Sequence, residues 1–255
     1  MKKLIATIAL ILVAVLFTTG CNLGAEKSSP RLSMFIGVDI SGSFKQSKYF
    51  DDSLDFLAYY IYSHLNGLGG LEVPNVLFVS SIGGANANEP KTFYPIQNFE
   101  NKSIEEIRLK LREIFPAKVS NPFTDYNAFF EQVAQTVKNK NLVLRPISVV
   151  MLSDGIPDVK KQSTTDYKSI RVEPLERLAR NVTVRLLYTS AVVGMNWQTK
   201  VKRRRVKVWT QDGEVLRSWK DPKILIPDKR IEDQDYFFSW MADNVDFGVR
   251  SRRVD

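Results

Sequence analysis

Two short apolar runs end abruptly in small, oxygen-bearing residues. Leu32 to Val38 stops at Asp39-Ile40-Ser41-Gly42-Ser43, and Ile147 to Leu152 stops at Ser153-Asp154-Gly155. A strand-length run with no polar alternation suits a strand covered on both faces, as in a parallel sheet. Val76 to Ser81 and Val182 to Tyr188 read the same way. Helical periodicity fills the intervals. Phe50, Leu54, Leu57, Ile61 and Leu65 form one stripe, halted at Asn66-Gly67. Ile104, Ile107, Leu111 and Ile114 form a second, behind a Ser103–Glu106 capping box. A third helix begins near Thr124 and runs through Phe130, Val133 and Val137, and Pro174 suits the first turn of a short fourth. The alternation predicts an α/β fold: a doubly wound, mostly parallel central sheet with helices on both faces.

Smaller features complete this outline. Gly83 to Asn88 reads as a loop, and Thr92 to Ile96 as a returning edge strand. After Tyr188 the pattern changes. Lys200 to Val208 and Glu214 to Trp219 flank Thr210-Gln211-Asp212-Gly213, and Asp-Gly is a strong hairpin signal. The expectation is therefore a C-terminal β-hairpin, followed by a closing helix over Asp233 to Asp246 with Phe237, Trp240, Met241 and Val245 buried. Residues 196–255 are read as an elaboration of the domain spanning 31–195, because their own core would be thin.

The first residues stand apart. Lys2 and Lys3 precede an apolar run from Leu4 to Phe17, and Thr18-Thr19-Gly20 lead to Cys21, the only cysteine in the 255 residues. Basic, apolar, small, then a cleavage point is the order of a secretory signal. The run is shorter than the roughly 20 residues that span a bilayer. Cys21 resembles the lipidated cysteine of bacterial lipoproteins, although Thr18 stands where that family usually has leucine. The resemblance implies a signal peptide over 1–20, a tether over 21–30 and a lipid anchor at Cys21. It places the protein in the bacterial cell envelope, on the outer membrane or the periplasmic face, and makes nucleic acid an unsuitable partner. Asn22 after the cysteine does not favour retention at the inner membrane. Loss of Lys2 and Lys3 lowers the formal charge of +8 by two, a modest basic excess.

Asp39-x-Ser41-x-Ser43 at a strand end can present one carboxylate and two hydroxyls to a single point. A hard divalent cation such as Mg²⁺ takes oxygen ligands of this kind and keeps several waters. Neutral hydroxyl ligands would leave such an ion electron-poor and receptive to a carboxylate from outside. Asp154 brings a second carboxylate to another strand end, and Thr124 opens a helix after Asn121-Pro122-Phe123.

These three segments resemble, in order and spacing, the metal-ion-dependent adhesion site of the von Willebrand factor A (VWA) family. The likeness covers roughly residues 32 to 190. It implies that Asp39, Ser41, Ser43, Thr124 and Asp154 surround Mg²⁺ (or Mn²⁺), with the hydroxyls binding directly and the aspartates largely through water. It also implies a protein partner whose acidic residue completes the shell, and no enzymatic activity. The loop before Thr124 lacks the glycines often found in the family. Asp125 reads as a supporting acceptor or as an acid favoured by the helix N-terminus.

Two other classes stay open: a metal-assisted hydrolase at the same site, and a structural envelope lipoprotein with a vestigial one. The hydrolase needs a general base beyond the five residues. His64, the only histidine, is read as a partly buried surface residue near a helix end, and no Gly-x-Ser-x-Gly elbow accompanies it. A haloacid dehalogenase-type phosphotransferase would want an aspartate where Ser41 stands. The basic run Lys200, Lys202, Arg203, Arg204, Arg205 and Lys207 is read as an exposed hairpin arm, either a solvated edge or a contact for anionic head groups or an acidic partner.

Overall fold

The computed structural model describes residues 29–84, 91–118, 122–158 and 165–246. The leader, Cys21, nearly all of the tether and most of the Gly83–Asn88 loop lie outside the described residues. Arg31–Asp255 forms one compact unit. No helix among the described residues is long and apolar enough to cross a membrane.

Among the described residues six strands make one sheet: β1 Leu32–Asp39, β2 Pro74–Ile82, β3 Tyr94–Pro95, β4 Ile147–Leu152, β5 Val182–Thr189 and β6 Lys207–Asp212, in the spatial order β3-β2-β1-β4-β5-β6. All pairs are parallel except β2 with the short edge strand β3. β1 and β4 are buried at every residue, as the unbroken apolar runs demanded. Because successive side chains point to opposite faces, each strand serves two cores. Met34, Ile36, Val38, Val150 and Leu152 face one of them. There they meet α2 (Phe50–Leu65), α3 (Ile104–Ile114) and α8 (Asp235–Asn244), which follow α1 (Gly42–Lys45) in numbering. Phe35, Val149, Met151, Val184 and Leu186 face the other, with α4 (Tyr126–Asn139), α5 (Glu173–Glu176) and α6 (Ala191–Lys200). This is the three-layer, doubly wound α/β architecture expected from the alternation, and the Ser103–Glu106 capping box forms as read.

The C-terminal hairpin does not form. Residues 191–200 are instead a helix, α6, which carries the chain over the sheet so that β6 lies parallel to β5. Asp212 ends β6, and its side chain accepts from the Glu214 amide 2.8 Å away, capping α7 (Gly213–Arg217). Asp-Gly serves a helix start as readily as a tight turn, and Gly213 is needed because a Cβ there would stand 2.7 Å from the Tyr49 ring. The missed helix has Val192 and Met195 exposed and Val193 and Trp197 buried, a stripe too thin to be seen as a period. The basic run is therefore a loop between α6 and β6, not a strand arm. Arg203 turns inward, donating to the carbonyls of Trp197, Gln198 and Val201 at the end of α6.

His64 also differs from expectation. It is fully buried near the end of α2, packed edge-on against the Tyr60 ring. Its Nδ1 lies 2.9 Å from the Glu72 carbonyl and so carries the ring proton. Burial pushes its pKa down, opposed by Asp246, whose carboxylate is 3.9 Å from Nε2. Asp246 is itself held by Arg185, a buried guanidinium on β5 that also donates to the Val245 carbonyl and to Ser148 Oγ.

Candidate functional site at the carboxyl edge of the sheet

Strand pairing brings the two motif ends together. β1 and β4 are neighbours with Val38 opposite Leu152, so Asp39 and Ser153 emerge side by side. Asp39 is fully buried. Its Oδ1 accepts from the Ser41 amide at 2.8 Å, a local turn that folds the chain back over the strand end. Ser41 then caps the single turn α1, accepting from the Phe44 amide. Residues 41 and 43 consequently face the same side: their hydroxyls are 3.2 Å apart, and Ser43 donates to Asp154 Oδ2 at 2.8 Å. The other oxygen of Asp154 accepts from the Ile156 amide. Four of the five residues singled out in the sequence thus belong to one hydrogen-bonded cluster.

Thr124, the fifth, is placed by its backbone. It exchanges both main-chain hydrogen bonds with Asp158, in the segment that follows Asp154. The preceding residue, Phe123, forms a bridge to Gly84 at the end of β2. The contact is so close that a Cβ on Gly83 would lie 1.8 Å from the Phe123 carbonyl oxygen, and Gly83 has φ +75°. Gly83, just past the end of β2, is what lets the two chains approach this closely. Asp125 caps α4 by accepting from the Ala128 amide, the role that a helix N-terminus favours.

The structure adds residues that the motif did not reveal. Ser153 Oγ donates to Asp39 Oδ2 at 2.6 Å. Having spent its one proton there, it accepts from the Tyr126 hydroxyl, also at 2.6 Å, and from the Gly155 amide. Trp197 packs edge-on to Tyr126 and donates to the Gly155 carbonyl, so α6 braces both sides of the turn. Ser153 was visible beside Asp154, but nothing in its neighbours marks it as a partner for a residue 114 positions away.

These contacts set the electrostatics. The Asp39 carboxyl is pushed up to about 7, first by burial and then by the charge of Asp154. Asp154 is raised as well, chiefly by burial. The Tyr126 hydroxyl is held far above its ordinary range by burial and by both carboxylates, so it stays a donor. Two carboxylates that resist ionising together, edged by neutral hydroxyls, form a donor set of hard oxygens whose charge a divalent cation would balance. Among the described residues no three or more His, Cys, Asp or Glu groups are placed to hold a metal ion by themselves. His64 contacts Glu72 and Asp246, not this site.

No family model matches the sequence, and no curated protein is similar to it at a significant level. Solved structures with a similar chain path include proximal thread matrix protein 1 of the mussel byssus (11% identity, 74% of this chain and 46% of that one, TM-score 0.46). Another is the human COPII-coat protein Sec24c (10% identity, 74% of this chain and 32% of that one, TM-score 0.47). A third is the SpRpn10 VWA domain (14% identity, 79% of this chain and 92% of that one, TM-score 0.41). This chain spans less than half the length of the first two.

Proposed function

We propose that this chain is a non-enzymatic, VWA-type binding module that captures a protein partner through a divalent cation, Mg²⁺ or Mn²⁺. The observation that carries the reading is the pairing of Asp39 and Asp154 at neighbouring strand ends, joined through Ser41 and Ser43. Ser41, Ser43, Thr124, Asp39 and Asp154 would hold the ion. The ion would supply an electrophilic point for an acidic side chain of the partner. Ser153 and Tyr126 orient Asp39, and Gly83 sets the height of the Thr124 loop. The reading extends to residues 1–30: a cleaved leader over 1–20, a lipid on Cys21 and a short tether, holding the domain at the outer membrane or periplasmic face of a bacterial envelope. Residues 31–195 and 196–255 act as one domain, the last strand and helices completing the sheet and its cover.

Calorimetric titration of Mg²⁺ and Mn²⁺ into the chain from Asn22 onward tests the cation, with Ser41→Ala and Asp154→Asn as controls. Saturable binding lost in both variants supports the reading. Equal heats in wild type and variants would move the ion elsewhere. Capture from native envelope extract, with Mg²⁺ against EDTA, then tests the partner. Proteins retained by wild type in Mg²⁺ and lost with Ser41→Ala are the expected outcome. Identical captures in all conditions would remove the cation from recognition.

A further inference from the structure

The opposite edge of the sheet carries a second, unrelated arrangement. Parallel pairing in register brings the first residues of five strands to one level: Leu32 pairs with Pro74, Ser33 with Ile147, Ile147 with Val182, and Thr183 with Lys207. One or two residues before four of these strands stands an arginine: Arg31 before β1, Arg145 before β4, Arg180 before β5 and Arg205 before β6. These four strands are consecutive neighbours. At about 4.8 Å per strand the arginines form a row roughly 15 Å long. Arg31, Arg180 and Arg205 are exposed and Arg145 is half-buried. Among the described residues no ion pair engages any of the four. Arg177, Arg204 and Lys207 add exposed positive charge beside the row. Glu176 lies close by, engaged by the backbone amides of Arg204 and Arg205.

An apolar tip projects beside the row. In the loop from α4 to β4, Leu144 is 75% exposed and its neighbour Val143 42%. Leu144 has φ +71°, a left-handed conformation that is strained for a leucine. It is held there because its amide donates to the Leu178 carbonyl at 2.8 Å. A fixed, solvent-facing leucine next to unpaired guanidinium groups gains nothing in water. It matches a surface with phosphates outside and hydrocarbon beneath.

We propose that this amino edge docks on an anionic lipid bilayer, with the arginine row on head-group phosphates and Leu144 entering the acyl boundary. Arg31, the first residue of the compact unit, lies in the row. The inference rests on the proposed envelope location and not on the cation site. Docked in this way, the domain presents Asp39 and Asp154 away from the membrane.

The test uses the chain from Asn22 onward, which keeps the whole compact unit and lacks Cys21, in EDTA so that the cation site is silent. Co-sedimentation compares vesicles of equal parts phosphatidylglycerol and phosphatidylethanolamine with vesicles of phosphatidylcholine. Binding to the anionic vesicles alone, weakened by salt, is expected. The triple variant Arg145→Gln, Arg180→Gln, Arg205→Gln should bind about a hundredfold more weakly. Leu144→Gly should bind about tenfold more weakly while melting no lower than wild type, since glycine adopts this φ without strain. Absent or charge-indifferent binding by wild type overturns the proposal. So does unchanged binding by the triple variant. Unchanged binding by Leu144→Gly would overturn the bilayer in favour of a purely electrostatic partner.

Discussion

At the carboxyl edge, Asp39, Ser41 and Thr124 are buried, and Asp39 draws donors from its own turn and from the neighbouring strand. At the amino edge, Arg31, Arg180 and Arg205 stand in solvent, and among the described residues they have no carboxylate partner. The same parallel register produces both, because every strand but the short β3 starts on one side and ends on the other. On the proposed function, the difference lies in what each edge would hold. A single small ion needs a few oxygens placed to within a fraction of an ångström, which only buried, mutually bonded side chains provide. A broad charged surface needs cations in number and in reach, and long exposed side chains provide those without any mutual contact.

Substitutions at the two edges should therefore have separable consequences. The largest expected effect is at Asp154. Asp154→Asn, by removing one of two site carboxylates, should weaken cation affinity by more than about a hundredfold in calorimetry and leave vesicle binding in EDTA untouched. A parallel loss of both would mean that the edges are not independent.

Next is Gly83→Ala. A Cβ at φ +75° against the Phe123 carbonyl should cost about 2 kcal/mol in denaturant unfolding. It should also displace Thr124 and lower cation affinity, again with no change at the amino edge. An unaltered midpoint would show that the β2 end and the Thr124 loop separate freely.

The third prediction uses pH. The folded chain holds the Asp39 carboxyl near 7, above its unfolded value. Its contribution to stability without cation is accordingly complete below about pH 4 and is lost as pH rises through 7. Cation binding runs the other way, because it needs the carboxylate. Affinity should fall about tenfold per unit as pH drops below 7. Vesicle binding in EDTA uses neither Asp39 nor the cation, so it should not follow this profile across the roughly neutral range. A cation affinity that is flat would remove Asp39 from the site.

The smallest expected effect is Tyr126→Phe. Loss of the donor to Ser153 should cost about 1 kcal/mol of stability and a few-fold in cation affinity, read by thermal melting and calorimetry.

How far the sequence carries varies with the kind of interaction. The strands were legible because β1 and β4 are buried on both faces, which leaves no polar residue to break the apolar run. Asp39, Ser41 and Ser43 were legible because the turn that aligns them is local, within five residues. The Asp39–Ser153–Tyr126 relay was not, since it joins three elements and uses residue types common in any core. Leu144 was overlooked for a related reason. Its significance lies in a backbone angle imposed by Leu178, and a leucine between Val143 and Arg145 carries no mark of that. The C-terminal hairpin failed at Asp212-Gly213, where one dipeptide encodes both a turn and a helix cap. The basic run was conspicuous, yet its place at the strand starts followed only once α6 was recognised as a crossover.

β1 joins the two edges by itself. Arg31 stands at its entry and Asp39 is its last residue, and it lies inside the sheet with β2 on one side and β4 on the other. A pull applied between those two residues runs along the strand axis. The covalent backbone of β1 carries that load, and its ladders to β2 and β4 hold the strand in place without being sheared by it. Were the proposed membrane contact and the proposed partner to pull against each other, the tension would pass along this enclosed strand and not through the packing of α8 or α6.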